Sequence, residues 1–170
     1  VQVDVSAGIP CWDVVGLPDL SVKESKERVR TAIKNTGYDI QSRKIVVNLA
    51  PADIRKWGTS YDLPIAISVL GALKEINNKN LENTIFIGEL SLDGKINHIN
   101  GVLPMCIEAL NLGIKRVILP KANEREALII KGLEVVAVSN LKECIGYLNG
   151  KVQISSPHID LREILNKSEN

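Results

Sequence analysis

The stretch Leu63 to Ile76, LPIAISVLGALKEI, is apolar almost all the way round, and no other part of the chain constrains the fold as much. A helix without a polar face must be enclosed by other elements on every side. Ala66, Gly71 and Ala72 are small enough to let those neighbours approach closely. With 170 residues, 45% of them apolar, the chain can enclose such a helix in one domain without disulfides or metals.

The flanking sequence supplies the enclosing elements. Val1 to Ser6 alternates as a half-buried strand, Ala7-Gly8-Ile9-Pro10 is turn chemistry, and Cys11 to Gly16 returns to β-favouring residues, which predicts an antiparallel hairpin. Asp19 and Ser21 offer N-cap oxygens, Ser21 with Glu24 fits a capping box and Gly37 a C′ position, so a helix is expected over 21–36 with Val22, Val29, Ala32 and Ile33 facing inward. Lys44 to Leu49, closed by Pro51, suits a strand buried on both faces. Asn77 to Asn83 reads as a surface connection, and Thr84–Leu90 and Lys95–Ile99 flank Asp93-Gly94, the signal of a tight hairpin turn.

From Pro104 the pattern alternates. A helix to Leu112, a strand Arg116–Leu119, a helix Glu124–Lys131, a strand Glu134–Val138 and a last helix, capped by Ser139 and ending at Asn149-Gly150, together predict parallel pairing. Beyond Lys151 the chain turns polar and reads as a linker with a short helix. Val1 already stands within the alternating pattern, so the sequence is expected to begin inside an element of a longer polypeptide.

Charge and cysteine content narrow the function. Twenty-one Lys and Arg against twenty Asp and Glu leave a net charge of +1, which gives no bulk-charge argument for nucleic-acid or membrane binding and leaves only a local patch open. Cys11, Cys106 and Cys144 are far apart and odd in number, as expected of reduced thiols in a cytoplasmic protein. No apolar run approaches the roughly 18 residues of a membrane span.

Several constellations bear on chemistry. Gly88 to Ile96 imitates a phosphate-binding loop, but five residues separate Gly88 from Gly94 where four are needed, and Ile96 cannot supply a magnesium-binding hydroxyl. His98 and His158 are distant from each other and no Cys pair is close, so no metal site is expected. Ser60, in Gly58-Thr59-Ser60 ahead of the buried helix, is either a nucleophile needing a desolvated lysine as base, or one of two residues, with Asp62, that cap the helix. Lys23, Lys26, Arg30 and Lys34 line one side of the first helix. They form a solvated face, or a phosphate-tracking patch extended by Arg43, Lys44, Arg55 and Lys56. Trp12 and Trp57 read as packing anchors, with an exposed contact the alternative for Trp57 in its polar loop.

The runs GLPDLSVKESKERVRTAIKNTGY, VNLAPADIRKWGTSYDLPIAISVL, IGELSLDGKINHINGVLP and VILPKANEREA closely resemble the N-terminal domain of the Mg-chelatase-related AAA+ ATPases of the ComM/YifB type. The likeness covers nearly all of residues 1–150, and the same domain is similar to the proteolytic domain of Lon. The resemblance implies an α+β fold: a mixed sheet with packed helices, shared with a ribosomal small-subunit protein domain and containing a left-handed βαβ crossover. It also implies that 151–170 begins a linker toward an AAA+ module. ATP with Mg, hexamer formation, contact with neighbouring subunits and a role in DNA processing during transformation are then implied for the longer parent chain, with no cofactor in residues 1–170 themselves.

The Lon comparison reaches single residues. Gly58-Thr59-Ser60 falls on the first three positions of Lon's Gly-Pro-Ser-Ala-Gly loop, so Ser60 matches the nucleophile. Lon's catalytic lysine follows a Gly-Gly-Leu stretch; here the stretch is Asn100-Gly101-Val102, and Leu103 stands in the lysine's place. Loss of a general base costs factors of about 10²–10⁴. The resemblance therefore implies a domain without peptidase activity, serving assembly or DNA guidance. A Ser-Lys peptidase and a pure protein-interaction scaffold are the alternatives.

Overall fold

The computed structural model describes residues 1–40 and 42–157. In chain order the elements are β1 (Gln2–Ala7), β2 (Cys11–Val15), α1 (Leu20–Asn35), β3 (Arg43–Asn48), α2 (Asp62–Ala72), β4 (Thr84–Phe86), β5 (Glu89–Leu90), β6 (Ile96–Asn97), α3 (Val102–Asn111), β7 (Arg116–Pro120), α4 (Glu124–Ala127), β8 (Glu134–Val138) and α5 (Leu141–Leu148). The architecture is mixed α+β, with sheets ordered β1-β3-β2 and β4-β7-β8 and a two-stranded β5-β6 ribbon.

The expected hairpin of the first two strands does not form. β3 lies between them, antiparallel to β1 and parallel to β2. A central strand has both backbone edges paired, and the most deeply buried of the three, with Ile45 and Val47 fully buried, takes that place. Nor is β3 buried on both faces: Ile45 and Val47 join α1 and α2 in the main core, whereas Val46 and Asn48 are half-buried. The chain leaves β2 through Gly16 at φ +101°, where a Cβ would stand 2.2 Å from the Leu49 carbonyl oxygen, so only glycine fits.

α1 forms as expected, and of the two candidate caps Asp19 is the one used: its carboxylate accepts from the Val22 amide at 2.9 Å and from the Ser21 hydroxyl at 2.8 Å, in place of the Ser21–Glu24 box. α2 is enclosed as its composition demands, with Leu63, Ile65, Ala66, Val69 and Leu70 wholly buried, though it stops at Ala72 instead of running to Ile76. Ala72 itself is exposed.

The β4-β7-β8 sheet is parallel throughout; the alternating pattern predicts the β7-β8 pairing, whereas β4 comes from the stretch expected in the hairpin. Its apolar runs are explained by burial on both faces: Ile118, Val136 and Val138 join the main core, while Val117, Leu119, Val135 and Ala137 form a second cluster with α3 and α4. The wide Thr84–Ile99 hairpin contracts to β5-β6, because β4 pairs with β7 and the chain breaks at Gly88 to bond with residues 60 and 63. The helix expected over 124–131 shrinks to α4 after a 3₁₀ turn, and α5 is capped by Asn140, not Ser139. Residues 151–157 carry no helix or strand, yet Ile154 packs against the main core. The short helix expected further on, and His158, lie outside the described residues. No helix among the described residues is long and apolar enough to cross a membrane.

Candidate functional site

The loop before α2 is built on the start of α1. Lys56 and Leu17 pair through the Lys56 amide at 3.0 Å, the Asp19 amide donates to the Lys56 carbonyl at 2.9 Å, and the Gly58 amide donates to the Ser21 hydroxyl at 3.1 Å. On its far side the loop is held by Gly88, whose amide donates to the Ser60 carbonyl at 3.1 Å and whose carbonyl accepts from the Leu63 amide at 3.0 Å. A Cβ on Gly88 would lie 2.9 Å from Ile96 Cγ2 and 3.4 Å from the Leu63 side chain, so a larger residue there would crowd β6 and the start of α2.

Ser60 is half-buried and lines a cleft of about 920 Å³ together with Tyr61, Pro64, Ile67, Phe86 and Met105 among others. Among the described residues its hydroxyl has no hydrogen-bond partner, and no lysine donates to it. Leu103, 37% exposed, sits in the first turn of α3, next to Pro104 and Met105 of the cleft wall. An isolated hydroxyl beside an apolar wall has nothing to take its proton. Burial raises the Tyr61 phenol pKa in the same wall.

Neither Ser60 nor Asp62 caps α2; Tyr61 occupies the cap position without a side-chain bond. Asp62 turns inward instead. Its carboxylate, with no exposed surface, accepts from Arg28 Nε at 2.7 Å, from Arg28 Nη2 at 2.9 Å and from the Leu90 amide at 3.1 Å. Burial pushes the Asp62 carboxyl upward, partly offset by the Arg28 and Leu90 bonds. Sequence reasoning missed this pair. Its signals were an acid opening an otherwise apolar helix and an arginine outside the lysine row.

The candidate contacts divide. Lys23, Lys26, Arg30 and Lys34 are all exposed on α1 and none forms a salt bridge among the described residues. Arg43, Lys44 and Arg55 are exposed as well. Lys56 is not part of any surface patch: it is 4% exposed, and its ammonium donates to the Pro51 carbonyl. The two tryptophans also separate, Trp12 packing against the main core while Trp57 stands 74% exposed. Cys106 and Cys144 are buried, and Cys11 is half-buried.

A family model described as subunit ChlI of Mg-chelatase matches residues 1–123. The uncharacterized protein YifB of Escherichia coli is 39% identical over 157 residues, 92% of this chain and 31% of that protein. The competence protein ComM of Haemophilus influenzae is 35% identical over 154 residues, 91% of this chain and 30% of its own length. Lon protease 2 of Bacillus subtilis is 32% identical over 125 residues, 72% of this chain and 22% of the protease. The chain thus spans about a third of the length of YifB and ComM. On these matches it belongs to the Mg-chelatase-related family of YifB and ComM.

Proposed function

We propose that this chain is a non-catalytic N-terminal domain of a AAA+ ATPase that acts on DNA, and that it guides DNA along the exposed basic side of α1. The observation that carries the reading is the row Lys23, Lys26, Arg30 and Lys34, exposed and without salt-bridge partners. Four cations left unspent by the fold are available to phosphates. Arg55 extends the set, and Lys56, being buried, does not.

In this reading residues 1–150 form a Lon-like domain and 151–170 a linker. ATP and Mg belong to the module that follows, the longer chain assembles as a hexamer through its neighbours, and no cofactor is held by residues 1–170. The domain works in the cytoplasm. In this reading the sheet contains the left-handed βαβ crossover of Lon-like domains. In the full-length chain, Lys26→Ala and Arg30→Ala should weaken DNA retention in gel shifts while leaving the circular dichroism spectrum unchanged. Equal retention by all three proteins contradicts DNA guidance.

A second reading, a Ser-Lys peptidase, is favoured by one observation: Ser60 faces an apolar cleft large enough for several side chains. Leu103 in the lysine position speaks against it.

A further inference from the structure

β4 ends its sheet on an open backbone edge. Pairing with β7 uses the odd-numbered positions, since the Arg116 amide donates to the Asn83 carbonyl at 3.1 Å and the Ile87 amide to the Ile118 carbonyl at 3.1 Å. The even-numbered positions therefore face the other way. At Gly88 those groups are taken, the amide by the Ser60 carbonyl and the carbonyl by the Leu63 amide. At Thr84 and Phe86 they are not: among the described residues β4 has no second neighbouring strand, and these backbone groups bond to nothing else. Unpaired donors and acceptors at strand spacing are a template for one more strand.

This edge looks into the 920 Å³ cleft, between two helices. Ile85 packs with the second cluster and Phe86 with the main core, so α3 covers one face of β4 and α2 the other. Pro64, Ile67 and Ser68 of α2 and Met105, Glu108 and Leu112 of α3 stand on the facing walls. With a helix on either side, the edge of another folded sheet cannot reach β4. A lone extended segment can: bonded to Thr84 and Phe86 it continues the sheet at a strand spacing of about 4.8 Å, and its alternate side chains meet the α2 and α3 walls in turn. The helical walls are apolar apart from Ser68 and Glu108, and Glu108 is exposed with no salt-bridge partner among the described residues. Its carboxylate repels a phosphate backbone and favours a lysine or arginine in the segment.

We infer that the groove between α2 and α3 binds an extended peptide segment of a partner protein as an added strand on β4, apolar at alternate positions and with a basic residue toward α3, and holds it without cutting it. This goes beyond DNA guidance by α1 and does not depend on it. The test exposes the full-length chain to a library of random ten-residue peptides and sequences those retained. Alternating apolar residues with a Lys or Arg among them are expected, and Glu108→Lys, a change at an exposed position, should replace that basic residue by Asp or Glu. The best-retained peptide is then methylated on alternate backbone nitrogens. Methylating the set that donates to β4 should weaken affinity about tenfold or more, and methylating the other set should leave it within about twofold. The peptide should be recovered intact. Retention of no peptide, a selection that Glu108→Lys leaves unchanged, or equal sensitivity to both methylated sets overturns the added strand. Cleavage that Ser60→Ala abolishes overturns the holding role and puts the peptidase reading in its place.

Discussion

Arg28 and Asp62, 34 positions apart, meet through two hydrogen bonds of 2.7 and 2.9 Å, and this fork ties α1 to the first turn of α2. Arg28 Nη2 also donates to the Ser21 carbonyl at 2.9 Å, and Asp62 accepts the Leu90 amide, so one ion pair joins α1, α2 and β5. Burying the Asp62 carboxylate is costly unless its bonding positions are satisfied, and here Arg28 and the Leu90 amide satisfy them.

Removing one partner strands the other. Arg28→Ala strands the buried Asp62 carboxylate and should lower stability by about 3–5 kcal/mol, read from urea denaturation, whereas Asp62→Ala leaves a guanidinium whose side chain is 22% exposed and should cost clearly less. The double variant Arg28→Met/Asp62→Leu should lose clearly less than the sum. Losses that add would mean the two groups do not act as a pair.

The N-cap predicts an acid limb in stability. Hydrogen bonding, first from the Val22 amide and then from the Ser21 hydroxyl, holds the Asp19 carboxyl below its ordinary value of 3.8. In the window between the folded and unfolded values the unfolded chain binds more protons, so stability rises with pH there. The contribution is complete above the unfolded value and is lost as pH falls through the folded one. Asp19→Asn keeps a capping oxygen and should flatten this limb in melts between about pH 2 and 5.

Much of this fold was legible in the sequence, and the exceptions share a cause. α1, the enclosure of α2, and β7 and β8 followed from periodicity, since burial of Leu63–Leu70 and of both faces of Val117–Leu119 is written in local composition. The place of β3 between β1 and β2 was not, because strand order depends on which chains compete for the central position, and no local pattern records that. Asp62 looked like a cap for the same reason. Its partner stands 34 residues away, and only tertiary packing brings Arg28 to it. At the candidate site, exposure of the α1 row was readable from its spacing, whereas the inward turn of Lys56 was set by the Pro51 carbonyl and could not be.

Thiol reactivity should follow burial. Burial pushes the Cys106 thiol up to about 11 and raises that of Cys144 further, with Glu126 and Glu143 adding to the respective shifts. Cys11 is half-buried. At pH 8 iodoacetamide should label Cys11 first and leave the other two until the protein is unfolded, as read by intact mass. Rapid labelling of Cys144 in the folded state would contradict the packing of α5 against the main core.

The apolar cleft beside Ser60 makes a sharp negative prediction. An unfolded protein incubated with the full-length chain and ATP should survive, and Ser60→Ala should change nothing. Cleavage abolished by Ser60→Ala would establish the peptidase reading and show that some other group activates the hydroxyl.

The salt dependence of DNA affinity tests the central claim most directly. With the full-length chain, log affinity should fall linearly with log salt concentration, and Lys26→Ala with Arg30→Ala should make that slope shallower by about 1 for each contact removed. Affinity that ignores salt, or a slope unchanged by both substitutions, would show that the basic side of α1 is a solvated surface and that DNA is held elsewhere.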